Sequence, residues 1–261
     1  MKIATVGDNC MDVYKSLNEA FPGGNPVNVS VYFVRLGGKA SYTGVVGNDK
    51  YGKLIIDSLE RKNVDTSNIR VTQGSTAITE VELINGERVF GDYNEGVLAD
   101  FKLTDEDIDF LASHDLVVSG LWGKIESDLY RIKERGTPTA FDFANKLKDP
   151  VIERAIYNVD YAFFSYDKGE DNFIRNYMKD MHKKGPKLVV VTLGEKGSLC
   201  YDGEKFIKYG IIPGEVVDTM GAGDSYIAGF LFGILKNKEI KECMELGAKN
   251  ATCTLQYRGA W

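Results

Sequence analysis

"VVDTMGAGDSYIAGF", residues 216–230, runs from a short apolar stretch through a glycine turn into a helical pattern, and its reading decides the rest of the chain. Ile227, Phe230, Leu231, Ile234 and Leu235 follow helical spacing, which starts the helix near Ala222. The amides of Gly221, Ala222 and Gly223 then point out of its N-terminus, where the helix dipole favours an anion. Glycine lets a phosphoryl group approach the backbone closely. Asp224 stands at the mouth of this helix and has two readings. It caps the helix, or it borders a phosphoryl group held on the amides and takes a proton from an attacking hydroxyl.

Working outward, apolar runs at 2–6, 40–46, 116–120, 139–143, 161–165 and 187–194 alternate with helical patterns. These include "VNVSVYFVRLG", "KYGKLIIDSLERKN", "TDEDIDFLASH", "ESDLYRIKERG" and "EDNFIRNYMKDMHKKG". Such alternation predicts an α/β fold, with a mostly parallel central sheet covered by helices on both faces. Ligands of open α/β sheets bind beyond the carboxyl ends of the strands. Small and polar residues stand at those ends here: "GDN" after the first run, Ser165, and "TLGEKG" at 192–197. One stretch breaks the rhythm. "STAITEVELINGERVFGDYNEG" (75–96) alternates with period two on either side of "NGE", as a β-hairpin does. It is either an antiparallel edge or a lid over the strand ends.

Composition narrows the function. The chain has 261 residues, 43% of them hydrophobic and 27% charged, as expected for a single globular domain spanning 1–261. A net charge of −6 disfavours nucleic acid or an anionic membrane as partner. Cys10, Cys200, Cys243 and Cys253 form no Cys-x-x-Cys and read as reduced thiols of a cytoplasmic protein. With His114 and His182 the only histidines, acid–base chemistry falls to carboxylates. "GNDKYGKL" (47–54) has phosphate-loop spacing, but Leu54 replaces the hydroxyl that would hold magnesium, so a plain strand-to-helix turn is favoured. "GAGDSY" places Tyr226 where a dinucleotide fingerprint needs its third glycine.

"DTMGAGDSYIAGF" resembles the C-terminal signature of the ribokinase-like (PfkB) carbohydrate kinases, Asp-Thr-x-Gly-Ala-Gly-Asp. "GGNPVNVS" (23–30), "GVVGNDKYG" (44–52) and "TLGEKG" match the family's other signatures in order along the whole chain. The resemblance implies a ribokinase-like fold with a small β lid, formed mainly by about 75–96 with a contribution from about 9–22. It implies an ATP- and magnesium-dependent sugar kinase with Asp224 as catalytic base and Gly221, Ala222 and Gly223 as anion hole. Asp12, Gly24, Asn25 and Asn28 would contact the sugar, and Thr192, Gly194 and Gly197, with Gly221 and Gly223, would contact ATP. The family's Asn-x-x-Glu is replaced, with Ser165 and Lys168 at its ends, leaving Glu170 as the candidate magnesium ligand. Met220 in place of a threonine, and the end of the sequence at Trp261, weaken the family's monovalent-cation site.

Within the family, "DNCMDVY" (8–14), "VFGDYNEGVLADF" (89–101) and "QYRGAW" (256–261) resemble members that phosphorylate fructosamines. That implies transfer to a primary hydroxyl, the 6-hydroxyl of fructoselysine or a related fructosamine, with Asp92 among the lid acids facing an amine-bearing acceptor. The alternatives are a kinase of another small sugar or nucleoside, a kinase of a hydroxymethyl-pyrimidine or pyridoxal, and an inactive binding module. The long lid strands leave edges that a second subunit in a homodimer would cover.

Overall fold

The apolar runs of the sequence become the strands of a central sheet because buried parallel strands need no polar face. The computed structural model describes all residues except 15, 16, 18, 85 and 86, and the side chains of all but these and 83–84 and 87–90. Numbered in chain order, the strands are Lys2–Val6 (β1), Cys10–Tyr14 (β2), Glu19–Gly23 (β3), Lys39–Gly47 (β4), Ile69–Thr72 (β5), Ile78–Ile84 (β6) and Glu87–Asn94 (β7). Leu116–Gly120 (β8), Thr139–Asp142 (β9), Tyr161–Ser165 (β10), Leu188–Thr192 (β11), Ser198–Tyr201 (β12) and Phe206–Tyr209 (β13) complete them. Nine strands form one sheet in the order β13-β12-β11-β10-β9-β8-β1-β4-β5, parallel except for β12 and β13. The remaining four form a separate sheet, β3-β2-β6-β7.

The helices are Asn25–Arg35 (α1), Lys50–Arg61 (α2), Asp105–Ala112 (α3), Leu129–Glu134 (α4), Val151–Ala155 (α5), Asn172–His182 (α6), Ala222–Leu235 (α7) and Ile240–Leu255 (α8). One face of the central sheet packs Ile3, Val118, Phe163 and Val190 against α1, α7 and α8 through Val29, Phe33, Phe230 and Met244. The other face buries Phe141, Phe164 and Val191 under α3, α4, α5 and α6. Helix α7 is therefore enclosed on nearly all sides, and its first turn is fixed relative to the strand ends.

Local chemistry explains several boundaries. Thr104 and Asp107 form a reciprocal capping box that opens α3. The phosphate-loop-like turn at 47–54 is a strand-to-helix connection, with Asp49 capping α2 through the Gly52 amide at 2.8 Å. The hairpin at 75–96 lies outside the central sheet, and its strands β6 and β7 extend the pair β2–β3 through a parallel β2–β6 contact. Its expected turn at Asn85–Gly86 lies outside the described residues. Strands β5, β12 and β13 and helices α5 and α8 were not evident from the pattern, and α4 begins at Leu129, later than "ESDLYRIKERG" suggests.

Candidate active site

The carboxyl ends of β1 and β9 and the first turns of α1 and α7 converge on one point. Gly24 precedes α1 with φ 111°, and a Cβ there would lie 2.8 Å from Asn9 Cα and 2.9 Å from the Asp8 carbonyl oxygen. Only glycine lets α1 start this close to the β1–β2 connection. Pro26 then sits in the first turn, where its missing N–H costs nothing. The consequence is that Asn25 and Asn28 face the start of α7. Asn25 Nδ2 donates to Asp224 Oδ1 and Asn28 Nδ2 to Asp224 Oδ2, both at 2.7 Å.

This settles how Asp224 is held. It makes no side-chain cap to its own helix; the residue before α7 is Gly221, left-handed at φ 71°, where a Cβ would lie 2.2 Å from Tyr32 Oη. The Ala222 amide donates to the Thr219 carbonyl at 3.3 Å. Among the described residues, the Gly221 and Gly223 amides donate to no backbone carbonyl, leaving two of the three expected anion-hole donors unspent.

Two further carboxylates, absent from the sequence-based site, stand beside it. Asn25 Nδ2 also donates to Asp142 Oδ2 at 2.9 Å, and the Asn25 amide donates to Asp8 Oδ2 at 3.3 Å. Burial, then the nearby Asp224 charge, pushes Asp8 and Asp142 each up to about 7. Burial also raises Asp224, to about 6, while its bonds from Asn28 and Asn25 pull the other way. Three carboxylates thus share one site, and the two amide donors make Asp224 the one most readily ionised at neutral pH. Both new residues close the carboxyl ends of parallel strands, a position that sequence reading marks as ligand-facing.

Asp12, on β2, is buried and accepts from Cys10 Sγ at 3.6 Å. Asp8 Oδ1 and Asn25 Oδ1 are buried without a hydrogen-bond partner among the described residues. Partial desolvation raises the Tyr93 phenol of β7 and the charges of Asp8 and Cys10 add to it, so the four-stranded sheet reaches the same site. Asp92 is exposed beside a bulge in the β6–β7 pairing.

On the other side of Asp224 opens a cavity of about 1340 Å³, lined by Thr192, Gly194, Gly197, Ala222 and Gly223 among others. It thus brings together the residues expected at the nucleotide. Glu170 is not among its lining residues. Its oxygens accept from Arg175 and, at 2.9 Å, from Lys208, which hold its carboxyl below the usual range. The carboxylate of this loop that lines the cavity is Asp167, joined by Glu195 from the turn after β11. Substitution at the family's Asn-x-x-Glu positions left no sequence signal to choose between Asp167 and Glu170.

A large, mostly parallel sheet between helices, a separate four-stranded sheet, and a carboxylate set beside a wide cavity define a ribokinase-like α/β fold. Residues 10–261 match the pfkB family of carbohydrate kinases, and the chain belongs to that family. It is 44% identical to fructoselysine 6-kinase of Escherichia coli over 259 residues, covering 99% of both chains. It is 32% identical to fructosamine kinase FrlD of Bacillus subtilis, covering 100% of this chain and 93% of that one. The fold matches Arabidopsis thaliana ribokinase complexed with ribose and ATP, with TM-score 0.87, 24% identity and 99% and 93% coverage. It also matches a sugar kinase of Pyrococcus horikoshii in complex with ATP, with TM-score 0.79, 26% identity and 99% and 94% coverage. Among the described residues, no helix is long and apolar enough to cross a membrane.

Proposed function

We propose that this carbohydrate kinase transfers the γ-phosphoryl group of ATP to the 6-hydroxyl of fructoselysine or a related fructosamine. The observation that carries the reading is Asp224, held by Asn25 and Asn28 between the polar pocket and the large cavity. ATP would occupy the cavity, with its γ-phosphate on the Gly221 and Gly223 amides. The acceptor would lie on the opposite side, under the lid sheet, where Asp12, Asp8 Oδ1 and Asn25 Oδ1 offer acceptors to its hydroxyls. Asp224 would take the proton of the attacking hydroxyl, and the freed amides would meet the charge that builds on the phosphoryl oxygens. Magnesium binds hard oxygen ligands and keeps much of its water, so one or two carboxylates suffice. Asp167 and Glu195 would hold it, and it would offset phosphate charge.

The acceptor class rests on the relatives' names and on the matched stretches at 8–14, 89–101 and 256–261. A second proposal is that the exposed edges of the four-stranded sheet pair with another copy as a homodimer, tested by light scattering across micromolar concentrations. For the acceptor, kcat/KM is compared for fructoselysine, fructose, ribose and adenosine. Fructoselysine is expected to lead, with fructose losing kcat as well as affinity because the tail's binding energy aligns the hydroxyl. A plain sugar or nucleoside that equals it overturns the acceptor and leaves the kinase.

A further inference from the structure

The segment "QYRGAW" carried part of the sequence resemblance, yet none of its residues has a role in the reading above. In the fold it returns from α8 to the start of α1. Trp261 Nε1 donates to Asn28 Oδ1 at 2.8 Å, and Asn28 Nδ2 donates to Asp224 Oδ2 at 2.7 Å. The segment is fastened on both sides of that contact. Gly259 N donates to Asp218 Oδ2 at 2.8 Å, while Asp218 Oδ1 accepts from Met220 N just before the anion-hole glycines. Tyr32 Oη donates to the Ala260 carbonyl, and Arg35 Nη1 donates to Tyr257 Oη at 2.7 Å.

An asparagine amide has two faces of opposite hydrogen-bonding sense, and nothing intrinsic chooses between them. An indole N–H can only donate. Its partner on Asn28 must therefore be the oxygen, which turns the NH₂ toward Asp224. A carboxylate that accepts from this NH₂ is stabilised as an anion; facing the amide oxygen instead, it would be repelled or would have to keep its proton. We propose that Trp261 is a positioning residue that fixes the orientation of Asn28 and thereby holds Asp224 ionised and aimed for proton abstraction. The proposal rests on the reading of Asp224 as the base.

The charged and titratable groups around Asp224 are Asp8 beyond β1, Asp142 at the end of β9, and Tyr32 and Arg35 on α1; burial and the Asp224 charge push the Tyr32 phenol up. The Arg35 guanidinium is directed to Ser225 Oγ, Asn250 Oδ1 and Thr254 Oγ1, not to the Asp224 carboxylate, so no cation replaces the Asn28 bond. Weakening that bond therefore moves the Asp224 titration to higher pH.

The test uses Trp261→Phe, which keeps an aromatic ring and removes the donor. Its kcat/KM for the acceptor is expected to fall about 5- to 10-fold, the scale of one hydrogen bond. The acid limb of its pH profile should move upward, with KM for ATP unchanged. In an Asn28→Ala background the same substitution should have no further effect on kcat/KM, because the link it acts through is gone. Loss of packing alone would act equally in both backgrounds and leave the acid limb in place, and that result overturns the proposal. So does parental kcat/KM in Trp261→Phe alongside an inactive Asp224→Asn. An active Asp224→Asn instead sinks the base assignment itself.

Discussion

The two sides of Asp224 are built from different materials. On one side, where ATP is proposed to bind, lies a wide cavity edged by glycine turns, with Thr192, Gly194 and Gly197 at the end of β11 and Ala222 and Gly223 at the start of α7. On the other, where the acceptor is proposed to bind, side chains form a connected network: Asn25 and Asn28 between Asp8, Asp142 and Asp224, with Asp12 on the four-stranded sheet. Backbone amides suit a phosphate chain, whose oxygens are all alike and carry the charge. A polyol is distinguished by where its hydroxyls lie, which calls for side chains fixed at separate points. The contrast predicts that acceptor-side substitutions alter catalysis and sugar affinity, while the nucleotide side tolerates many side-chain changes outside its glycines.

The hardest blow to this contrast falls on the group the two sides share. Asp224→Asn keeps the shape and should lower kcat by about 10²–10⁴, the usual worth of a general base. ATP binding by calorimetry should stay near that of the parent. Turnover within a few-fold of the parent would remove the carboxylate from the chemistry.

Asp12→Ala tests whether the acceptor side acts alone. Loss of a charged hydrogen-bond acceptor costs about 1.5–3 kcal/mol, so KM for the sugar should rise by roughly ten- to a hundred-fold. KM for ATP should move little. Equal increases in both constants would erase the division between the two sides.

A thermodynamic consequence attaches only to the acceptor side. Asp8 and Asp142 titrate near 7 in the fold, against 3.8 as ordinary carboxyls, so the folded chain binds more protons than the unfolded one between these values. Stability is therefore greatest below about pH 4 as far as these groups decide it, and it declines as pH rises toward 7. Asp142→Asn should flatten that decline in denaturant titrations run from pH 4 to 8. An unchanged slope would mean that Asp142 is ionised throughout.

The smallest effect is expected on the nucleotide side. Glu170→Gln should leave the magnesium dependence of turnover as it is and cost about 0–1 kcal/mol of stability, the scale of a partly exposed ion pair. Asp167→Asn should raise the magnesium requirement instead. The reverse pattern would return the metal to Glu170.

Several strands, the start of α7 and part of the proposed site are legible in the sequence. The apolar runs at 2–6, 116–120 and 187–194 became buried strands because hydrophobic patterning and length agree in such segments. The start of α7 at Ala222 followed from the spacing of Ile227, Phe230 and Leu231. Asp224 stands out in its own turn, Asn25 and Asn28 only through the family resemblance of "GGNPVNVS", and the structure joins the three by direct hydrogen bonds. β5 and β13 are four-residue strands at the two ends of the sheet, half-exposed and without the apolar run that marks the equally short but buried β9.

What the sequence determined by itself was local: which segments extend, which coil, and which turn presents free amides beside a carboxylate. Those choices depend on neighbours a few residues apart, and propensity and spacing record them. The tertiary structure alone decided which distant groups meet. Asp8, Asp142 and Asp224 lie far apart along the chain, and only closing the sheet and docking α1 against α7 puts them around one amide, Asn25. Glu170 is the sequence's candidate for magnesium, but folding sets it against Arg175 and Lys208. Trp261 gained a link to Asn28 across 233 positions. Burial then supplied what no residue carries alone: partial removal from water raised three ordinary carboxyls together, and the hydrogen bonds each one accepts moderate how far.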